Sequence, residues 1–263
     1  MSSSQADKAA RLRSLHDGPG VFVIANAFDA GSAQLLARMG FAALATSSGA
    51  AAGVLGRKDG ELSRDEALAH ARAVAAATDL PVSADLENGF GHAPEEVAET
   101  IRLAGATGIV GASIEDYSGD KGTPLYPIEL AAARIVAAVR AARALPFSGF
   151  AITARAENFF RGSTDLADTI ARLRAYEAAG ADVLFAPALP DLDAVRAVCA
   201  AVTKPVSFMV GMKGKSWDAA TLEAAGVRRI SLATSLWRAA MAGVRAAAEE
   251  VRTSGTFGYV DRL

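Results

Sequence analysis

Short apolar runs alternate with longer amphipathic stretches along most of the chain. Eight of these runs are nearly continuously apolar and rich in β-branched residues, a pattern typical of strands covered on both faces. They lie at 21–25, 43–47, 81–85, 109–115, 150–155, 183–186, 205–209 and 229–233. The longer stretches predict helices, for example at 63–77, 94–104, 127–142, 165–179, 191–201 and 235–251. About eight strand–helix units in succession predict an α/β fold of the (β/α)₈ TIM-barrel type.

The joints between these segments favour the same fold. Ser63 precedes Glu66 at the spacing of a capping box, and Gly180 and Gly226 follow helices where a left-handed residue is favoured. The fold alternative, a doubly wound open sheet, lacks support because no G-x-G-x-x-G turn follows the first strand. No linker divides the chain, so we expect one barrel domain over 1–263, with a leading helix at 5–15 outside the barrel.

Composition narrows the class of protein. The chain is 51% hydrophobic with a formal net charge of −2, so no basic excess supports nucleic-acid binding. Cys199 is the single cysteine, which excludes an internal disulfide and favours a reducing, cytoplasmic setting. The polar N-terminus lacks the apolar core of a signal peptide, and no apolar run reaches the roughly twenty residues that cross a bilayer. We expect a small-molecule partner, with neither nucleic acid nor membrane.

Acidic side chains gather where the middle strands end, and in barrels the chemistry lies at the carboxyl ends of the strands. Asp85 and Glu87 end the third strand, Glu115 ends the fourth, and Asp59 joins them as a fourth carboxylate. Such acids repel one another unless a cation lies among them. Mg²⁺ suits this oxygen-rich set, with one direct carboxylate and the others acting through water. The alternative, for any one acid alone, is a helix cap or an ordinary ion pair.

Other polar groups follow the neighbouring strands. Arg155, at the end of the fifth strand, needs a partner, either Glu115 or a substrate carboxylate. The small residues Ser47, Ser48 and Gly49 offer N–H groups and a hydroxyl to a carboxylate or enolate oxygen, or they form a plain small-residue loop. The three histidines are expected at the surface, with the last of them near the turn at 88–91: His16, His70 and His92.

At these positions the chain resembles the isocitrate lyase/phosphoenolpyruvate mutase superfamily. The matching segments appear in the order in which that superfamily carries them, at 47–49, 56–60, 85–91, 114–116 and 154–157. The resemblance covers nearly the whole chain. It implies a 2-oxo-acid-like carboxylate substrate, and a last helix that is exchanged between subunits in a homotetramer assembled as a dimer of dimers.

The resemblance also implies roles for individual residues. Asp85 binds Mg²⁺, or Mn²⁺ in its place, directly. The waters of the metal are held by Asp59, Glu87 and Glu115. The substrate is bound by Ser47, Ser48, Gly49 and Arg155.

The loop after the fourth strand departs from that superfamily. Its lyases carry a Lys-Lys/Arg-Cys-Gly-His segment there, with the cysteine as proton donor, whereas residues 117–126 contain neither Cys nor His. The remaining candidates for a proton donor are Tyr117, Lys121 and a water near Asp59. Glu87 and Glu157 each replace the usual Asp, which lengthens both side chains by one methylene.

A decarboxylase needs such an acid least, because CO₂ leaves without a proton and solvent can protonate the enolate. The leading hypothesis is therefore a Mg²⁺-dependent C–C lyase or decarboxylase that acts on a small 2-oxo or 2-hydroxy di- or tricarboxylate through a metal-stabilised enolate. One alternative is P–C chemistry, as a phosphonopyruvate hydrolase or a phosphoenolpyruvate/carboxyphosphonoenolpyruvate phosphomutase. The cations that favour it are Arg57, Lys58, Lys121, Arg161, Lys213 and Lys215. The other alternative is a non-catalytic ligand-binding barrel.

Overall fold

The computed structural model describes residues 3–262, and its eight parallel strands form one closed barrel in chain order. The strands are β1 (Phe22–Asn26), β2 (Ala43–Ala45), β3 (Val82–Asp85), β4 (Gly111–Glu115), β5 (Ala151–Arg155), β6 (Val183–Phe185), β7 (Val206–Met209) and β8 (Arg229–Ser231). The predicted (β/α)₈ fold class is confirmed. The predicted domain limits, 1 and 263, lie outside the described residues.

Ten helices surround or flank this barrel in the part of the chain that the structure describes. They are α1 (Gln5–Asp17), α2 (Ala30–Arg38), α3 (Ser48–Val54), α4 (Arg64–Ala76), α5 (Pro94–Gly105), α6 (Ile128–Arg143), α7 (Leu166–Ala178), α8 (Leu192–Ala201), α9 (Ala219–Ala224) and α10 (Ser235–Ser254). Short 3₁₀ turns follow β5 and α10, at Phe159–Arg161 and Gly258–Arg262.

Local signals set most helix starts. Ser63 caps α4, because its hydroxyl accepts from the N–H of Glu66 and the Glu66 carboxylate accepts from the N–H of Ser63. The small residues at 47–49 do not form a loop. Ser47 is the N-cap of α3, and its hydroxyl accepts from the N–H of Ala50, so the helix begins directly at Ser48.

The leading helix α1 closes the amino end of the barrel. Its Ala9 and Leu12 are fully buried and pack with Ile24, Ala43 and Ala151 from the strands. The prediction that His16 lies at the surface is wrong. His16 is buried, and its Nδ1 donates to the carbonyl oxygen of Leu12 at 2.8 Å, because α1 turns this face under the barrel.

His70 is also not a free surface residue. It is half-buried on α4, and its Nε2 donates to the carbonyl oxygen of Phe28 at 2.8 Å. This bond ties α4 to the segment between β1 and α2. His92 is exposed, as predicted.

The last helix, α10, contrasts with the others because none of its residues is buried. Its apolar side chains Met241, Val244 and Val251 are 46%, 59% and 38% exposed. Among the helices that the structure describes, none is long and apolar enough to cross a membrane.

Candidate active site

A cavity of about 610 Å³ opens at the carboxyl end of the barrel, where the sequence predicts the active site. It brings together most of the predicted site residues: Ser47, Ser48, Gly49, Asp59, Asp85, Glu87, Glu115, Tyr117 and Arg155. Lys121 is exposed in the loop after β4 and does not line the cavity. Its role as a proton donor stays a prediction that its position does not support.

Asp85 ends β3 and accepts hydrogen bonds on both oxygens. Oδ2 accepts from the N–H and the hydroxyl of Ser48 at 3.1 and 3.0 Å. Oδ1 accepts from the Ser113 hydroxyl at 3.2 Å and from Arg155 at 2.9 Å. Although burial opposes ionisation, Arg155 and Ser48 lower the pKa of Asp85 below its ordinary value, so the group is a carboxylate at neutral pH.

Arg155 joins three carboxylates at the end of β5. Its Nη1 lies 2.9 Å from Asp85 Oδ1, and its Nη2 lies 3.1 Å from Glu115 Oε2 and 2.9 Å from Glu157 Oε1. The register of β4 and β5 places Glu115 directly beside Arg155. The predicted partner Glu115 is therefore present, together with two carboxylates that share the same guanidinium.

Arg161 adds a second cation from the 3₁₀ turn after β5. Its Nη2 lies 3.1 Å from Glu115 Oε1, and its Nε lies 3.4 Å from Glu157 Oε2. The Arg161 guanidinium stacks on the Tyr117 ring, with its central carbon 3.5 Å from the ring centre. Tyr117 is thereby held against the cavity wall.

Acidic side chains crowd around the two guanidinium groups that follow from β5. Four acids, Asp85, Glu87, Glu115 and Glu157, face Arg155 and Arg161. Burial and the repulsion between Glu115 and Glu157 raise the pKa of Glu115 well above its ordinary range. A divalent cation among these acids would relieve their repulsion and favour their ionised forms.

Glu87 is the least satisfied of these acids. Its backbone lies in the left-handed region at φ 49°, and its Oε1 is buried without a hydrogen-bond partner. Burial, followed by repulsion from Asp85 and Asp59, raises the pKa of Glu87 to about 7. A buried, unpartnered carboxylate oxygen beside two further acids is the environment that a cation would stabilise.

These residues fit Mg²⁺ in one particular way. Among residues 3–262, no three His, Cys, Asp or Glu side chains converge closely enough to hold a metal ion directly. Mg²⁺ retains several waters and needs only one or two direct carboxylates, so Asp85 with water-mediated contacts to Glu87, Glu115 and Asp59 satisfies that requirement. Because Asp85 already accepts from Ser48, Ser113 and Arg155, a cation bound there has to displace one of these donors.

The turn that carries Glu87 is fixed from below by α6. The fully buried Arg134 donates to the carbonyl oxygens of Asn88, Gly91 and His92. Its guanidinium lies 4.3 Å from the centre of the Tyr126 ring, and the Tyr126 hydroxyl bonds His92 Nδ1 at 2.7 Å. The position of the Glu87 backbone is therefore set by a buried arginine rather than by the turn alone.

The small residues at the start of α3 divide their tasks. The Ser47 hydroxyl caps the helix, and the Ser48 N–H donates to Asp85 Oδ2. The Gly49 N–H, in the first helical turn, has no intrahelical acceptor. A Cβ at Gly49 would crowd Asp59 and Thr234, at 3.2 and 2.9 Å. Gly49 is the member of this group best placed to donate to a substrate oxygen.

The site includes residues to which the sequence analysis assigned another role or none: it named Glu157 only as a replacement for Asp and Arg161 only as a cation that favours P–C chemistry. Glu157 and Arg161 complete the ion-pair network, and Asn26 lines the cavity while donating to the Thr46 carbonyl oxygen at 2.7 Å. Trp237 and Arg238 reach the cavity from α10. Glu157 continues the inward alternation of β5, whereas the positions of Trp237 and Arg238 depend on how α10 folds back.

Comparisons with known proteins show the family to which the chain belongs. The family model for phosphoenolpyruvate phosphomutase matches residues 12–252. The oxaloacetate decarboxylase of Chromohalobacter salexigens is 31% identical over 86% of this chain and 78% of its own length. The 2-methylisocitrate lyase of Escherichia coli is 32% identical over 78% of this chain and 70% of its own. A crystal structure from Burkholderia cenocepacia J2315, provisionally described as a lyase/mutase, is 50% identical with a TM-score of 0.96, covering 98% and 92% of the two chains.

Proposed function

Because the chain belongs to the phosphoenolpyruvate phosphomutase family of the isocitrate lyase/phosphoenolpyruvate mutase superfamily, we propose that it is a Mg²⁺-dependent C–C lyase or decarboxylase. Its substrate class is a small 2-oxo or 2-hydroxy di- or tricarboxylate. The observation that carries the proposal is the unpartnered, buried Glu87 oxygen beside Asp85 and Asp59 at the carboxyl end of the barrel. Mn²⁺ can replace Mg²⁺ at such a site.

When bound, Mg²⁺ supplies charge stabilisation for the enolate left by bond cleavage. The chain supplies the rest of the chemistry. Asp85, Glu115 and Glu157 keep the Arg155 guanidinium in place and leave one N–H of Nη1 to donate to a substrate carboxylate. The Gly49 N–H donates to the developing oxyanion. The Tyr117 hydroxyl serves as the proton donor, because the Tyr117 ring lines the cavity and packs against Arg161.

The cations of the site favour C–C over P–C chemistry. A phosphonate group carries more negative charge than a carboxylate, so its binding requires additional cations at the rim of the cavity. Of the six cations that the sequence offered for that role, Arg161 alone lines the cavity in the described chain, and two carboxylates already engage it. The family includes phosphomutases, so P–C cleavage is the alternative that the assay has to separate.

The test measures pyruvate released from oxaloacetate, and pyruvate or phosphoenolpyruvate formed from phosphonopyruvate, each with Mg²⁺ and with EDTA. Blanks with metal but no enzyme correct for spontaneous decarboxylation. We expect enzyme-dependent pyruvate from oxaloacetate or a related di- or tricarboxylate, and its loss in EDTA. Release from phosphonopyruvate alone would contradict the proposal, and so would full activity in EDTA.

Asp85→Asn separates a catalytic site from a ligand-binding barrel. The amide keeps the size of the side chain but loses the negative charge, so we expect kcat to fall by about 10²–10³-fold. Asp193→Asn is the matched control, because the Asp193 side chain is 92% exposed on α8. Equal activity of the two variants would reject Asp85 as the metal ligand.

We also propose that α10 packs against a second copy of the chain, in a homotetramer built as a dimer of dimers. The support is its apolar but unburied face, which leaves Met241, Val244 and Val251 in solvent in one chain. Light scattering should give about 108 kDa, four times the 27.0 kDa chain mass. Val244→Asp should reduce that mass, whereas Arg245→Asp, next to it on the helix, tests charge alone. An unchanged mass near 27.0 kDa for the wild type would contradict the assembly.

A further inference from the structure

The interior of the barrel remains open below the carboxylate site. Barrels of this type are normally filled by layers of bulky side chains. Here small side chains face inward on three successive strands, at Ala45, Ser83 and Ser113, and the cavity continues past them. Its lowest lining residue on β8 is Arg229, which lies beside Thr153, two residues below Arg155 on β5.

Arg229 is a buried cation without an acidic partner. It is 6% exposed, and no carboxylate lies within 4.0 Å of it among the ion pairs of the described chain. Its Nε donates to the Ser207 hydroxyl at 3.0 Å and its Nη2 to the Thr153 hydroxyl at 3.1 Å. Burial, followed by the nearby Arg155, lowers the pKa of Arg229 to about 10, so it stays charged at neutral pH.

The third neighbour of Arg229 is His16, and it brings no negative charge. His16 Nδ1 donates to Leu12, so Nε2 presents its lone pair to Arg229 Nη1 at 3.5 Å. Burial and Arg229 itself lower the pKa of His16 to about 3, and the imidazole is therefore neutral. Every group in contact with the guanidinium is uncharged.

The hydroxyls around Arg229 have protons left to donate. Because Ser207 and Thr153 accept from the guanidinium, each O–H is free to donate to something else. A buried cation beside two hydroxyl donors and an open cavity is stabilised by a bound anion, which compensates the charge and accepts the free hydrogen bonds.

We propose that the floor of the cavity binds one small inorganic anion of halide size, held by Arg229 with the hydroxyls of Thr153 and Ser207. The anion is resident: it neutralises the barrel interior whether or not the rim holds metal or substrate. This site is therefore independent of the proposed reaction, and each can fail without the other.

The first test is thermal unfolding without metal, in sodium bromide or chloride against sodium gluconate at constant ionic strength. Gluconate is the reference anion because it is much larger than a halide. We expect a saturable rise of about 2–4 °C in Tm with the halide. Arg229→Gln should lose this rise, Arg229→Lys should keep part of it, and Arg196→Gln, at an exposed arginine on α8, should keep all of it. A halide effect that is absent from the wild type, or unchanged in Arg229→Gln, would overturn the proposal.

The second test locates the anion directly and does not depend on a folded variant. Crystals of the wild type grown in bromide should show an anomalous peak within about 3.5 Å of the Arg229 guanidinium. Only water at that position would overturn the proposal. Displacement of bromide by oxalate added with Mg²⁺ would also overturn it, because it would assign the floor to a substrate carboxylate instead of a resident ion.

Discussion

The two ends of the barrel interior each contain a buried arginine, and their surroundings differ completely. Arg155, at the carboxyl end, contacts three carboxylates, and these raise its pKa although burial opposes them. Arg229, toward the amino end, contacts two hydroxyls and a neutral imidazole. Strand register decides this: Glu115 is aligned with Arg155, whereas Ser207 and Phe22 are aligned with Arg229.

The backbone shows the same division. The four non-glycine residues with positive φ in the described chain all follow strands at the carboxyl end, and they are Glu87, Phe90, Ala188 and Ala233. Strain of this kind persists where surrounding contacts impose it, as Arg134 does on the turn after β3. The carboxyl end is arranged for chemistry at a cost in stability, and the amino end is a closed floor.

Removing the charge of Arg155 should have the largest effect on the free energy of unfolding. Arg155→Met leaves Asp85, Glu115 and Glu157 facing one another without their shared guanidinium. We expect a loss of about 3–5 kcal/mol in the free energy of unfolding, measured by urea denaturation in EDTA. Arg196→Met, at a 54% exposed side chain, should change it by less than about 1 kcal/mol. A stable Arg155→Met protein would mean that the three acids are protonated rather than paired.

A substitution at the amino end of the barrel should lower the stability of the protein but leave its catalytic activity unchanged. Leu12→Ala removes a fully buried side chain that packs at the amino end with Ile24 and Ala43. The resulting cavity should cost about 2–5 kcal/mol in urea denaturation, while kcat of the folded fraction stays within about twofold of the wild type. Arg13→Ala, on an exposed part of α1, is the control. A large fall in kcat for Leu12→Ala would show that the two ends are coupled.

The sequence could predict features that are local to a strand, but not those that depend on where a helix docks. Alternating apolar runs located all eight strands to within a few residues, and the strand-end position of Asp85, Glu87 and Glu115 placed them together at one rim. These properties are local or follow from a parallel barrel. The burial of His16 was not predictable in this way, because it depends on where α1 docks. Trp237 likewise reaches the cavity only because α10 folds back over the carboxyl end of the barrel.

The smallest expected effect is a pH dependence that originates at the floor. The pKa of His16 is lowered from 6.5 to about 3 in the folded protein by burial and by Arg229. The unfolded chain therefore binds a proton between these values and the folded chain does not, so stability is complete above pH 6.5 and falls as the pH decreases toward 3. His16→Asn keeps a donor for the Leu12 carbonyl oxygen and removes the titration. In sodium gluconate without halide, and relative to pH 8, the wild type should lose about 2 kcal/mol more than this variant at pH 5. Parallel curves of unfolding free energy against pH in gluconate would mean that the pKa of His16 in the folded barrel stays close to its unfolded value.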